Sequence, residues 1–448
     1  MAGHNRRTFL KLSGSVLGGA FAGSTVVAAE RSDRFIVKTE EEKRLSDLDI
    51  VFDLPEIGCA VVRGSESDVQ QSRAVKSYAP DLEIETADPS VKSQAYEGEA
   101  VDDESYAYQW DKQDLDVPTA HQTTKGEGTR LAVIDSGVDA SHPDLEVNTD
   151  LSRDFTGDSL GAGVPGGGDH GTHVAGIAAA QTAGTTGVAG TAPATDLVDY
   201  RVFSDFGGTN GAFSILLAAV VQAARDDCDV ANLSLGAYPI PREGLGSFYG
   251  GMVNKAMTYA NKEGTLLVIS AGNEAADLQH DGNVISLPNE GAQALSVAAT
   301  GPVGYGYALF AGEDLEASPE SPSNYTNYGT NAVDLAAPGG DYRINDRYLA
   351  PLVDEIPAYA WDLVFNTVST PLTDDDGNYV GSEPGYAWKA GTSMAAPNVA
   401  GAAALVKSVN PDYNANQLES ALKRAADVPD GYDKTYYGSG YLNIVDAL

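Results

Sequence analysis

The sequence predicts an α/β protein: a doubly wound, mainly parallel sheet with helices on both faces, preceded by a small α+β unit. Three observations lead there. From about residue 130 onward, short apolar runs of strand length alternate with runs of helical composition. Several of the apolar runs end in a polar residue beside glycine, as buried parallel strands do where chemistry sits at their C-terminal ends. Finally, 42% of the 448 residues are hydrophobic, enough for a large core and well above a disordered composition.

Taken in order, Arg34–Lys38 and Ala60–Arg63 read as strands and Asp68–Lys76 as a short helix. Arg130–Ile134 is an apolar run closing on Asp135, and Gly171–Ala180 is helical in composition. Asp196–Val202 reads as a strand, Phe213–Arg225 as a helix and Val230–Leu235 as the next strand. A helix over Met252–Lys262 precedes the strand Thr265–Ser270, and Ala292–Ala299 and Ala332–Ala336 add two more strands. Ser393 opens a small-residue helix running to Val409, which Asn410-Pro411 ends. Two stretches, 301–323 and 341–388, exceed what this alternation needs and are expected to be surface insertions shaping the mouth of a cleft.

The charge balance excludes some classes of partner. With 28 Lys+Arg against 64 Asp+Glu, the formal charge is −36, which disfavours nucleic acid and anionic lipid. Self-repulsion of that size is screened within a few ångströms by molar salt, so the composition points to a salt-adapted host. At the N-terminus, Asn5-Arg6-Arg7-Thr8-Phe9-Leu10-Lys11 precedes an uncharged stretch that closes at Val27-Ala28-Ala29. This is a twin-arginine export pattern with a small-residue cleavage site, assigned to residues 1–29. Its many glycines and serines argue against a retained membrane anchor.

Three segments carry chemistry: Val133-Ile134-Asp135-Ser136-Gly137, His170-Gly171-Thr172-His173 and Gly391-Thr392-Ser393-Met394-Ala395. Together they supply a carboxylate, an imidazole and a hydroxyl, the parts of a nucleophilic acyl transfer. Ser393 would attack, His170 would move the proton, and Asp135 would orient the imidazole and stabilise its charged form. Two alternatives fail on the sequence itself. A zinc pair from His170 and His173 lacks the i, i+4 spacing and the glutamate base of H-E-x-x-H enzymes. The near match of Gly391–Ala395 to G-x-S-x-G fails because that fold places its histidine after the serine, and the last histidine here is His280.

In motif order, from about Tyr106 to the C-terminus, the chain resembles the subtilisin-like serine proteases. Its acidity makes it similar to the halolysins of salt-loving archaea. The resemblance implies that Asn273, in Ser270-Ala271-Gly272-Asn273, donates its amide to the oxyanion. It implies that Ser234-Leu235-Gly236 forms one edge of an extended substrate and that Gly207-Gly208 forms the other. Their small or apolar character suggests broad specificity for protein and peptide substrates. It further implies that residues 30–95 are a prodomain that guides folding and then blocks the cleft, with processing between Ala87 and Tyr106, and that 106–448 is the catalytic domain. No cofactor is needed for the chemistry. Asp144 matches a calcium-ligating aspartate of many relatives, with Asp102 or Asp103 as partner, although the 181–187 loop lacks the family's asparagine ligand. An exported, processed monomer follows, free of membrane and nucleic acid. Of two cysteines, Cys59 would leave with the prodomain, so the processed enzyme keeps Cys228 alone and no disulfide.

Overall fold

The structure is a computed structural model that describes residues 33–39, 45, 47–82, 85–86, 94–96, 106–182, 187–208 and 211–448, the segments 85–86 and 94–96 by backbone only. The export signal and both Asp102 and Asp103 lie outside these residues.

Seven strands form the central sheet. Across it they run Leu335–Pro338, Ala294–Thr300, Leu266–Ser270, Val230–Leu233, Arg130–Asp135, Asp196–Arg201 and Arg153–Asp154. Every neighbouring pair is parallel. Because both faces are covered, successive side chains of a strand enter different cores: Leu131 and Val133 join one, Ala132 and Ile134 the other. Helices His170–Ala179, Thr392–Val409 and Ala415–Ala425 cover the first face, while Phe213–Arg225 and Leu245–Glu263 cover the second. The expected doubly wound architecture is therefore the one observed.

The winding reverses at one place. After Arg130–Asp135 the chain adds Asp196–Arg201 on one side, then crosses to add Val230–Leu233 on the other. The C-terminal ends of these central strands, at Asp135 and just before Ser234, thus border the crevice that such sheets open for ligands.

Residues 34–80 form a four-stranded antiparallel sheet in the order Asp49–Leu54, Cys59–Arg63, Arg34–Thr39, Val75–Pro80, with the helix Glu66–Gln71. The sequence reading ran that helix on to Lys76, yet Val75 and Lys76 begin a strand. The capping box of Ser65 and Asp68 starts the helix, and its six residues end before the β-branched Val75. One face of the small sheet has its own core around Val37, Val62 and Val69. The other, through Ile36, Leu54 and Ile57, joins the core under the 213–225 and 245–263 helices.

Polar contacts fix this docking. Asp81 accepts the Ser214 N–H at 2.9 Å and the Ser214 hydroxyl, and pairs with buried Arg34 at 3.5 Å. Arg225 grips Glu56 with two nitrogens, each 2.8 Å from a carboxylate oxygen. Tyr249 donates its hydroxyl to the Pro80 carbonyl.

The two insertions form one body. Helix Tyr305–Ala311 packs on the short helical segment Ala358–Asp362, and Asp362 accepts the N–H groups of Gly304 and Tyr305 at the helix start. From there Val364–Thr373 and Tyr379–Lys389 make a long antiparallel hairpin. The hairpin end lies against the His170 helix, while helix Tyr305–Ala311 and the Ala358–Asp362 segment pack on each other, on the Tyr106–Tyr108 segment and, through Trp361, on Trp388 of the hairpin. Of the two stretches expected at the cleft mouth, the hairpin lies beside the His170 helix.

Candidate active site

Asp135 ends a strand buried from Leu131 onward, and its Oδ1 accepts the Ser136 N–H at 2.7 Å. The same oxygen lies 2.7 Å from His170 Nδ1, so the carboxylate fixes the ring and assigns the Nδ1 proton to that bond. His170 opens its helix, and the next residue explains how the helix comes so close. A Cβ on Gly171 would strike the Gly137 backbone, whereas glycine lets its N–H reach Ser136 Oγ at 2.8 Å. The turn after the strand and the first turn of the helix are therefore one joined unit.

Ser393 sits at the second position of the helix Thr392–Val409 and is fully buried in this form of the chain. Pro397 lies four residues later and has no N–H to offer the Ser393 carbonyl. That carbonyl instead accepts the Ser234 hydroxyl at 2.9 Å, while the Ser393 hydroxyl lies 3.5 Å from the Ser234 carbonyl. A proline inside the helix thus frees the one carbonyl that ties the Ser393 turn to the end of the central strand.

Asn273 follows Leu266–Ser270 through Gly272, whose φ of +99° suits glycine and turns the chain sharply. Its Oδ1 accepts the Thr392 N–H at 2.9 Å and the Thr392 hydroxyl at 3.0 Å. Its Nδ2 is buried and makes no hydrogen bond among the described residues. A buried amide donor without an acceptor is costly, unless it waits for charge that develops during a reaction. Here it is anchored beside the residue preceding Ser393, at a helix N-terminus.

Leu235–Pro241 begins directly after Ser234 and pairs antiparallel with the chain's own residues, Leu235 with Thr86 and Gly236 with Glu85. Ser234, Leu235 and Gly236 are thus brought beside Ser393, and Leu235–Gly236 presents a strand edge. Gly207 and Gly208 do not form a second edge. Both are exposed with φ values of +104° and +75°, in a bend rather than a strand, and Gly208 packs against the Thr156 carbonyl. Two glycines in left-handed conformations cannot keep the pleat of a pairing strand.

His173 is fully buried and lies 3.2 Å from the Ala387 carbonyl. Burial holds its pKa well below the ordinary value, with a further push from the Lys389 ammonium. His142 is likewise buried against the Gly385 carbonyl at 3.1 Å. Both are packing histidines that seat the hairpin. Lys389, four residues before Ser393, pairs at 3.0 Å with Asp169, the residue before His170. Sequence reading missed this link, because nothing in the local pattern shows that a hairpin end returns to the histidine loop.

Asp144 offers a poor cation site. Its Oδ2 accepts the Tyr386 hydroxyl at 2.9 Å and the Gly187 N–H at 3.1 Å, leaving one buried oxygen, and burial raises its pKa. Among the described residues no group of three or more His, Cys, Asp or Glu side chains could hold a metal. The residues described do not fit a calcium ion on their own. Cys59 and Cys228 are both buried free thiols whose pKa burial pushes up to about 12, so neither is reactive.

The model of the subtilase family matches residues 126–440. Subtilisin BL of Lederbergia lenta is 31% identical over 338 residues, which cover 75% of this chain and 96% of that protein. The epidermin leader peptide-processing serine protease EpiP of Staphylococcus epidermidis is 24% identical across 91% of this chain and 90% of its own length. Among solved structures, EpiP of Staphylococcus aureus aligns with a TM-score of 0.65 at 21% identity, covering 92% of this chain and 97% of that one, which shows the same fold. With a match spanning the Asp135, His170 and Ser393 segments, and with the wound sheet that carries them, this chain belongs to the subtilase family of serine endopeptidases.

Proposed function

We propose that Asp135, His170 and Ser393 are the catalytic triad of an exported, salt-adapted endopeptidase that cuts protein substrates with broad specificity. His170 Nε2 takes the Ser393 proton as the hydroxyl attacks the scissile carbonyl. Asp135 holds the Nδ1 proton and stabilises the imidazolium. The tetrahedral oxyanion is met by the Asn273 amide and the helix N-terminus, the leaving amine takes the proton from His170, and water repeats the sequence on the acyl-enzyme. Substrate adds as a strand along Leu235–Gly236. The observation that carries this reading is the Asn273 amide, buried and without an acceptor, on the residue tethered to Thr392.

The N-terminal region, read from the sequence as residues 30–95, acts as an intramolecular chaperone and inhibitor as far as the cut. In support, residue 85 pairs with Gly236 and residue 86 with Leu235, so the chain advances toward Ser234 and Ser393 as its numbering rises. Processing then falls within 87–93, inside the wider range read from the sequence. Export by the twin-arginine route rests on residues 5–29, and salt adaptation of the halolysin kind rests on the −36 charge. The processed enzyme is read as a monomer, and no helix among the described residues is long and apolar enough to cross a membrane.

The test is casein hydrolysis by the purified protein across a series from dilute buffer to multimolar salt, with a serine-directed phosphonate as control. Activity should rise with salt, the phosphonate should label Ser393, and Ser393→Ala should abolish both proteolysis and the shortening of the chain. A Ser393→Ala protein that still processes itself at the unaltered rate would remove Ser393 from this role.

A further inference from the structure

The hairpin Val364–Lys389 is not finished by its own two strands. A third, Gln94–Tyr96, pairs antiparallel with its outer edge: Gln94 with Trp388, Ala95 with Ala387 and Tyr96 with Tyr386. These three residues follow, eight to ten positions later, the Thr86 that pairs with Leu235.

The two pairings fall on different sides of the chemistry. Leu235 adjoins Ser234, which is bonded to Ser393. The hairpin end adjoins the His170 helix: the Ala387 carbonyl meets His173, Lys389 pairs with Asp169, and the Thr367 hydroxyl donates to the Thr172 carbonyl at 2.8 Å. The seven residues between the pairings can extend at most about 28 Å, which is enough to pass a catalytic centre.

The edge is also rigid. Trp388 is fully buried, with its ring 4.6 Å from Phe365 and 4.9 Å from Trp361, and the Tyr386 hydroxyl is bonded to Asp144. A Cβ at Gly176 would strike the Thr367 and Asn366 side chains, so that glycine lets the hairpin lie directly on the histidine helix. An edge held in this way is a template for any extended chain.

Resting on the endopeptidase reading above, we propose that the Tyr386–Trp388 edge is a second docking strand. It takes the leaving-group side of an extended polypeptide, up to nine residues beyond a cut placed within 87–93. The chain's own Gln94–Tyr96 is its first occupant. The enzyme accordingly selects long, unfolded polypeptides over short peptides, through main-chain hydrogen bonds that ignore side-chain identity.

Three synthetic peptides test this: the chain's own segment 82–103, the same segment ended after Ser93, and the full segment with N-methyl amides at 94, 95 and 96. N-methylation removes the donors of the added strand and leaves the cut region unchanged. Each is offered to the processed enzyme and to Ala95→Pro enzyme, in which proline deprives the enzyme's own arm of an N–H and frees the edge. In at least one enzyme the full peptide should be cut with a kcat/KM about tenfold or more above the other two, which should match each other. Equal kcat/KM for all three peptides in both enzymes overturns the docking strand while leaving the endopeptidase intact. Failure to cut casein as well overturns the endopeptidase reading itself.

Discussion

At the residue scale, the site shows how a buried polar atom can be read as function. Asn273 spends its oxygen on Thr392 and leaves its amide nitrogen without an acceptor. Nothing in the resting chain rewards that arrangement; a developing oxyanion would. Asn273→Ala should therefore lower kcat by about two to three orders of magnitude with KM little changed. A loss carried mainly by KM would instead assign Asn273 to substrate binding. The segments of the proposed triad stand out in the sequence because each lies at a glycine-flanked strand or helix end, where histidine spacing argues against zinc and the chain order of histidine and serine argues against the G-x-S-x-G fold. The Thr392 anchor and the Lys389–Asp169 pair were not legible, since both join segments more than a hundred residues apart. Gly207-Gly208, which the resemblance implies as a strand edge, lies in a bend with positive φ at both residues, a conformation that sequence does not reveal.

At the scale of elements, the strands buried on both faces were the most legible parts, since an apolar run such as Leu266–Ile269 admits few other readings. The helix Leu245–Glu263 was read only from Met252 onward, because Gly246, Gly250 and Gly251 mask its first turns; burial of Tyr249 and Met252 overrides their low propensity. The long hairpin went unread because its outer half is polar and exposed, without a hydrophobic period. The small N-terminal sheet was half legible, and its docking surface not at all. That surface turns on Asp81, which accepts two bonds from Ser214 and pairs with Arg34. If this unit inhibits the processed enzyme, Asp81→Ala should weaken inhibition by about ten- to a hundredfold, as the loss of hydrogen bonds to a buried charge implies. Inhibition constants measured with the released N-terminal fragment would check it; Arg225→Ala, whose ion pair with Glu56 is partly exposed, should change them much less.

For the whole molecule, acidity acts on the inside as well as the surface. Burial raises the carboxyl groups of Asp199 to about 7 and Asp362 to about 8. Each is raised above its unfolded value, so the folded state keeps a proton the unfolded chain has lost, and stability falls as pH rises through the folded pKa. The buried His121, His142 and His173 are lowered, and they act in the opposite sense only below their ordinary value of 6.5. The two groups oppose one another in mild acid; above neutrality the raised thiols of Cys59 and Cys228 act in the same sense as the carboxyls, and the buried, lowered Lys112 acts against them. Thermal unfolding at constant high salt should therefore show a lower midpoint at pH 9 than at pH 7. A midpoint unchanged or higher at pH 9 would mean that these carboxyl groups ionise normally in the fold.

Pro397 has a last consequence, for anyone who would make this enzyme hardier. Helix propensity marks it as the obvious residue to replace with alanine, for a gain of roughly 3 kcal/mol on isolated-helix scales. Such a change would restore a donor aimed at the Ser393 carbonyl and set the helix in competition with Ser234 for it. A sturdier cylinder would then come with a slacker Ser393 turn, and the blemish in the helix is better read as a fitting than as a flaw.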